Sequence, residues 1–143
     1  FKVPGYNAGP IQKVSYASDG DATQPGNPTS GGYNLRQNCS SPSHGYAFGG
    51  APNGGSAQNI IEKWSFTSDG DATDVGDLTG AVQGSAGATS TTHGYRTGGH
   101  NTFANNAPAA TNIIDKFAFA SDGNATDVGD LVAKWVFGAG ANE

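Results

Sequence analysis

Closely spaced aspartates are the first groups in this sequence that could do chemistry. The densest cluster places Asp69, Asp71, Asp74 and Asp77 within nine residues. Carboxylates at such spacing suggest Ca²⁺, but an EF-hand loop needs a D-x-D-x-D-G core and a distal Glu, and this segment has neither. Asp beside Gly also caps its own backbone in a turn. We therefore expect turn chemistry, and we predict no metal site and no cofactor.

Nucleophiles and histidines give no clearer sign of catalysis. His44 and His93 each precede a Gly-Tyr pair but lie a whole repeat apart, which is not a chelating spacing. We expect them to donate hydrogen bonds between repeat units. The G-x-S-x-G motif is absent, and Cys39 has no evident His partner in the sequence. A pair of catalytic carboxylates of the glycosidase type would be possible only if two residues met across a closed ring. We predict a protein that is not an enzyme and has no catalytic residues.

Candidate binding residues lie in a loop whose length varies. From each Gly-Tyr pair to the next Asp-Gly pair the distance is 13, 23 and 27 residues, whereas the return distance is 25 and then 24. Variable loops on a fixed scaffold commonly carry binding. Amides suit sugar hydroxyls and an aromatic ring suits the apolar face of a pyranose. The predicted contact residues are Arg96, His100, Asn101, Phe103, Asn105 and Asn53.

A block that occurs three times positions these groups. Its clearest copy covers residues 64–78, the third covers 117–131, and a looser first copy covers 14–26. Alternating β-branched and aromatic residues before Ser68 predict a half-buried strand. The Asp69-Gly70 pair predicts a hairpin with a type I′ turn. The small residues that follow predict a strand at which backbones approach closely, ended by a Gly-Gly pair.

Charged residues recur inside the aromatic strand of each copy. A lysine occupies the same position three times, and a carboxylate precedes it in two copies. The residues are Lys13, Lys63 and Lys116, with Glu62 and Asp115. We expect an exposed ladder of charge pairs along the sheet.

The order of these segments resembles the kelch-type β-propeller blade. A small strand is followed by the Gly-Tyr-x-x-Gly-Gly strand of residues 94–99, then an aromatic strand, an Asp-Gly turn and an outer strand. Segments 90–95 and 121–131 resemble more closely the kelch-like repeats of tail-fibre and virion proteins of marine phages. The kelch Trp that follows the hairpin is replaced here by Asp74-Val75. The resemblance implies an all-β fold of four-stranded propeller blades.

Length and composition agree with one all-β domain over residues 1–143, with units at about 1–40, 41–90 and 91–143. Of the 143 residues 35% are hydrophobic, 13% are charged and 23 are Gly, which favours short strands and tight turns. A net charge of −5 with seven scattered basic residues argues against nucleic-acid and membrane-surface partners. The single Cys39 excludes an internal disulfide, and we expect it to be a small buried residue.

The chain has no Met and begins at Phe1, so we expect that a leader or flanking segment has been removed. Together with the low charge, this favours an extracellular or virion-surface location. The N-terminal segment corresponds to the second strand of a blade and the C-terminal segment to a first strand, which indicates a last blade split between the termini.

Three blades are too few to close a propeller, and open sheet edges are avoided in proteins. We expect a homo-oligomer in which residues 1–6 pair with residues 133–141 of a neighbour, giving six blades from two chains or nine from three. One alternative is a piece of a longer propeller with six or seven blades. A threefold β-prism within one chain is another.

The function that fits best is a non-catalytic structural or adhesive surface module that attaches to a cell-surface glycan or protein receptor through its blade loops. The alternative is a glycan-binding oligomeric propeller lectin. Equal loops would have favoured the lectin, because identical sites give avidity. The loops differ in length and residues, which favours the structural or adhesive function.

Overall fold

The computed structural model describes residues 9–29, 33–52, 56–101, 110–138 and 140, and every assigned element in these ranges is a β-strand. The predicted all-β class is therefore confirmed. The strands are β1 (Ile11–Lys13), β2 (Thr23–Gly26), β3 (Tyr33–Asn34), β4 (Gln37–Ser40), β5 (His44–Phe48), β6 (Ala51–Pro52), β7 (Gln58–Ser65), β8 (Thr73–Val82), β9 (Ala86–Thr89), β10 (His93–Thr97), β11 (Ile113–Ala118) and β12 (Thr126–Asp130). Within the described ranges, no helical segment has the length and apolarity needed to cross a bilayer.

The strands form antiparallel sheets in chain order. The first sheet contains β1 and β2, the second contains β4-β5-β7-β8, and the third contains β9-β10-β11-β12 in the spatial order β12-β11-β10-β9. A short pair, β3 with β6, lies beside the second sheet in sequence. Because each four-stranded sheet is a meander, successive connections alternate between its two ends. The hairpin turns β7–β8 and β11–β12 leave at one end, here called the turn end, and the β5–β7 and β10–β11 connections leave at the other, the loop end.

The second and third sheets are built in the same register. Cys39 faces Tyr46 and Tyr46 faces Lys63, while Ala88 faces Tyr95 and Tyr95 faces Lys116. Both hairpins also carry a register shift at the same place, just after the second Ile of each Ile-Ile pair. The repeat deduced from the sequence is therefore a structural repeat as well.

The β7–β8 turn differs from the predicted type I′ turn. It runs over residues 66–72, and Gly70 has a φ of 157° while Asp69 is not among the described residues with positive φ. The hydroxyl of Ser65 accepts the amides of Thr67 and Ser68 at 3.1 Å, which starts the bend early. The amide of Gly70 donates to Pro25 in the first sheet at 2.9 Å, so the preceding hairpin shapes this longer turn.

The core lies between the second and third sheets. Phe48 and Ile61 are fully buried, and Phe48 contacts Phe117 edge-on at 5.8 Å between ring centroids. Tyr46 stacks on Phe119 at 4.9 Å. The Gly-Tyr strand of one sheet thus packs against the aromatic strand of the next, and this burial of aromatic area is a large stabilising contribution.

The small-residue strands approach closely, as predicted. A Cβ atom built on Gly87 of β9 would lie 2.2 Å from the carbonyl oxygen of Asn38 in β4. Only a residue without a side chain fits this position at the observed spacing, because real Cβ atoms do not approach a carbonyl so closely.

The carboxyl-terminal segment is not the strand predicted over residues 133–141. Residues 131–138 and 140 carry no strand assignment. Trp135 instead accepts the amide of Gly99 at 2.7 Å, and Phe137 donates to Gly84 at 2.7 Å, so single hydrogen bonds tie the segment to the chain. Its predicted partner, residues 1–6, lies outside the described residues.

The close approach of β4 and β9 can be tested with one substitution. We expect Gly87→Ala to lower the free energy of unfolding by about 1–3 kcal/mol, because the added methyl group forces the two backbones apart. The measurement is the urea midpoint at constant m-value. Gly80→Ala is the matched control, since a Cβ there meets nothing within 4 Å. Equal midpoints for the two variants would contradict the close approach.

Candidate binding surface

Arg96, predicted to contact a ligand, is an interior residue. It lies on β10 with 1% of its surface exposed. Its Nε and Nη2 donate to Oδ2 of Asp115 at 3.1 and 2.6 Å, and its Nη1 donates to the carbonyl of Gly98 at 3.0 Å. Arg96 therefore holds β10, β11 and the start of the long loop together, and its guanidinium is not part of a contact surface.

His100 is also buried, with 0% of its surface exposed. Its backbone exchanges two hydrogen bonds with Gln83, at 2.8 and 2.9 Å, and its ring lies 5.7 Å from that of Phe137. Burial lowers the pKa of its imidazole, which favours the neutral ring at pH 7. His100 anchors the base of the loop rather than presenting a ring to a partner.

Among the predicted contact residues that the structure describes, Asn101 is the exposed one. It directly follows the buried His100 at the start of the loop. Phe103, Asn105 and Asn53 lie outside the described residues. The surface that the loop end offers in the described ranges is therefore smaller than the sequence suggested, because two of its six members are needed inside.

Both long loops leave their sheets in the same way. After β5, Gly50 donates to the carbonyl of Val82 at 2.8 Å, and after β10, Gly99 donates to that of Trp135 at 2.7 Å. Each loop is thus tied at its start either to the end of the outer strand of its own hairpin or to the chain that follows that strand. The two loops emerge at the loop end with equivalent geometry although their lengths differ.

The carboxylates in the aromatic strands are buried, so the predicted exposed charge ladder is wrong for Glu62 and Asp115. Glu62 is 1% exposed, pairs with Arg36 at 2.5 Å and accepts the amide of Thr29 at 2.9 Å. Asp115, which is fully buried, accepts the hydroxyl of Thr79 at 2.5 Å. In both cases a threonine of the preceding unit binds the carboxylate: Thr29 lies just beyond β2, and Thr79 lies within β8.

The lysines also reach across to the next hairpin. Lys13 pairs with Asp69 at 3.3 Å, and Lys63 pairs with Asp122. These aspartates belong to the Asp-Gly turns, so each lysine of one unit holds the turn of the next. The ion pairs lie between units rather than along one sheet.

Backbone groups complete the contact between units. The amide of Asn27 donates to Asp71 at 2.8 Å and its carbonyl accepts the amide of Ala72 at 2.8 Å. One unit later, Asp77 donates to the side chain of Asn124 at 3.0 Å and accepts the amide of Ala125 at 2.7 Å. We call each such set of contacts, between an outer strand and the next hairpin turn, a joint. The chain contains a first and a second joint.

In the described part of the chain, each turn histidine makes a side-chain hydrogen bond within its own turn rather than between units. Nδ1 of His44 lies 2.8 Å from the hydroxyl of Ser43, and Nδ1 of His93 lies 2.8 Å from that of Thr92. Each ring therefore bonds within its own turn and lies 6.5 Å from the ring of the following tyrosine. The repeated His is explained by turn geometry, because a hydroxyl residue precedes it in both copies.

A groove of about 420 Å³ lies at the turn end beside the first hairpin. Tyr16 is fully exposed and Phe66 is 42% exposed on its rim. Val14 and Tyr16 are the counterparts of Phe117 and Phe119, which Tyr46 covers in the core. The apolar wall of the groove is thus a surface that is covered elsewhere in the same chain.

The described residues contain no group of three His, Cys, Asp or Glu side chains placed to hold a metal ion. No protein-family model matches the chain, and a search of curated proteins finds no match for it.

The buried ion pair of the third sheet should be essential to stability. We expect Arg96→Leu to cost about 3–5 kcal/mol of unfolding free energy, because Asp115 is left buried without its cation. The double variant Arg96→Leu/Asp115→Leu should recover much of that loss, since two apolar residues of similar volume replace the pair. Urea denaturation measures both. A single-variant loss no larger than that of Lys13→Met, which removes an exposed pair, would contradict the burial.

Cys39 should be unreactive in the folded protein. Burial raises the pKa of its thiol to about 12. At pH 8 the native protein should not react with Ellman's reagent, and one thiol per chain should appear in urea. Because the folded pKa exceeds the unfolded value, the contribution of this thiol to stability should be constant below about pH 9 and be lost as pH rises towards 12. Rapid native labelling would contradict this.

Proposed function

We propose that this chain is a non-catalytic structural module, an arc of three kelch-like propeller blades that holds a partner on its loop end at a virion or extracellular surface. The observation that carries the proposal is that the turn end and the loop end of the sheets differ in what they contact. Groups at the turn end bind the next unit, whereas the loops at the other end differ in length and sequence.

The joints account for side chains that might otherwise suggest catalysis. Lys13, Lys63 and the turn aspartates pair across units, and Glu62 and Asp115 are buried beneath threonines of the preceding unit. Because each group recurs in the same structural role, its presence in the sequence is explained by assembly of the units. This supports a structural function over an enzymatic one.

The blade architecture is supported by the two sequential four-stranded meanders and by the repeated joints. In a propeller, short antiparallel sheets pack face to face around an axis, with small residues where the inner strands meet. The close approach of Gly87 to Asn38 and the packing of Tyr46 on Phe119 fit that arrangement.

The loop end supplies the binding surface in this proposal. Arg96 and His100 fix the base of the longer loop from inside, and Asn101 presents an exposed amide beyond it. A rigid base reduces the entropy lost when a loop binds a partner.

Glycan binding at the same loops is the second candidate. The exposed carboxamide of Asn101 favours it, because a planar amide donates to and accepts from sugar hydroxyls at once. The two candidates differ in the partner rather than in the surface.

Binding to a glycan array and to immobilised cell-surface glycoproteins tests both candidates. For any ligand found, we expect Asn101→Ala to raise the Kd about tenfold, which corresponds to about 1.4 kcal/mol. Gln24→Ala is the matched control, since it removes an exposed amide from β2, away from the loops. Binding to glycoproteins but to no free glycan would remove the lectin. Equal losses for both variants, or loss with Gln24→Ala alone, would overturn the assignment to the loop end.

A further inference from the structure

We infer that β12 and the turn of residues 16–22 are the two halves of a third joint, which forms between two copies of this chain arranged head to tail. The surface differs from the terminal strands that the sequence suggested. It does not depend on what the loops bind, although it shares the arc of units on which the proposed function rests.

Both halves are exposed where their counterparts are covered. All five residues of β12 are exposed, whereas Val75, Gly76 and Asp77 on β8 are partly buried by the next unit. At the other side, Ala72 and Ala125 are 6% and 8% exposed in the two joints, but their counterpart Ala22 is exposed. Among the described residues, the outer strand β12 and the turn of residues 16–22 are therefore uncovered. Their counterparts bind each other in the first and second joints.

The open halves keep the groups that the joints use. Asp130 occupies the position of Asn27 and Asp77, whose amide and carbonyl both bind the next turn. On the open turn, Asp21 and Ala22 occupy the positions that accept and donate these bonds. Two copies can therefore form the same pair of hydrogen bonds, from Asp130 to Asp21 and from Ala22 to Asp130.

The ion pair of the joints is preserved as well. Lys116 corresponds to Lys13 and Lys63, and Asp19 corresponds to their partners Asp69 and Asp122. Lys116 therefore lacks only a following turn, which Asp19 of a second copy supplies.

Steric fit agrees with this pairing. A Cβ on Gly76 would lie 2.3 Å from the carbonyl of Gly123, whereas a Cβ on Gly129, its counterpart in β12, meets nothing within 4 Å. The backbone of Gly20 from a second copy would fill this space. The same docking would cover apolar surface, because Val14 and Tyr16, 51% and 101% exposed, would face Tyr95 as Phe117 and Phe119 face Tyr46.

One part of the joint changes on both sides together. The third unit has Val132 at the position where the other units have the threonine that binds a buried carboxylate. The first unit has Gln12 at the position where the others have that carboxylate. No charged group would have to be buried when two copies meet. On the inner strand β4, Asn38 stands at the position that Gly87 has in β9.

Light scattering behind a sizing column, from 1 to 100 µM protein, measures the assembly directly. At the higher concentrations we expect the measured mass to be at least twice the 14.4 kDa of one chain and an integral multiple of it. Lys116→Glu and Asp19→Lys should each weaken association at least tenfold, because each places like charges together across the joint. A mixture of the two variants should associate again, since every joint between unlike chains then pairs opposite charges.

Lys134→Glu is the control with the same change of charge at an exposed site outside the joint. Circular dichroism should show that all variants fold. A native chain that stays monomeric at 100 µM would overturn the inference, and so would an oligomer that Lys116→Glu leaves intact or variants that fail to associate when mixed. Loop binding measured on monomeric Lys116→Glu keeps this result separate from the proposed function.

Discussion

The structure depends on a buried carboxylate that one unit supplies and that a threonine of the preceding unit binds. Placing Glu62 or Asp115 in the interior carries a desolvation penalty of several kcal/mol per ion, which only a cation and well-placed donors can offset. The donors are Thr29 and Thr79, which belong to the preceding unit. The hydrogen bonds to the buried carboxylate of one hairpin are therefore incomplete without the hairpin before it. The carboxylate is stabilised only when the units follow one another in this order.

The cation that completes each site comes from different places. Arg96 lies on β10, directly opposite Asp115 in the ladder, whereas Arg36 precedes β4 and reaches Glu62 from outside the strand pair. The equivalent of Arg96 in the second sheet is Ala47, so the guanidinium cannot come from that strand. The same charge requirement is met through two routes, and this explains why the arginines do not recur at the repeat spacing although the carboxylates do.

Sequence patterns were sufficient for contacts within a unit. Alternation of apolar residues located β7, Asp69-Gly70 located a hairpin, and the small residues before His93 marked the close approach of β9 to β4. Contacts between units were not predictable in this way. Whether Glu62 faces water or a threonine depends on how two hairpins stack, and the turn at Gly70 is shaped by a carbonyl some 45 residues earlier.

The candidate site shows the same limit. Arg96 and His100 were chosen because polar residues near a variable loop commonly bind ligands. Their burial follows from Asp115 and Gln83, whose positions beside them no local pattern reveals. Asn101, the next residue along, is exposed. A buried anchor and a candidate contact residue are therefore adjacent in the chain.

The two kinds of joint have different physical consequences. A joint with a buried carboxylate is costly to form, because the charge must lose its hydration water each time the joint forms. Such joints suit units that stay connected by the chain. A joint in which Gln12 and Val132 replace the carboxylate and the threonine has only neutral groups to desolvate at that point, and its remaining bonds are backbone hydrogen bonds and one exposed ion pair. Association between separate copies then requires less reorganisation, which is consistent with placing the neutral version at the only joint that two chains must find by diffusion.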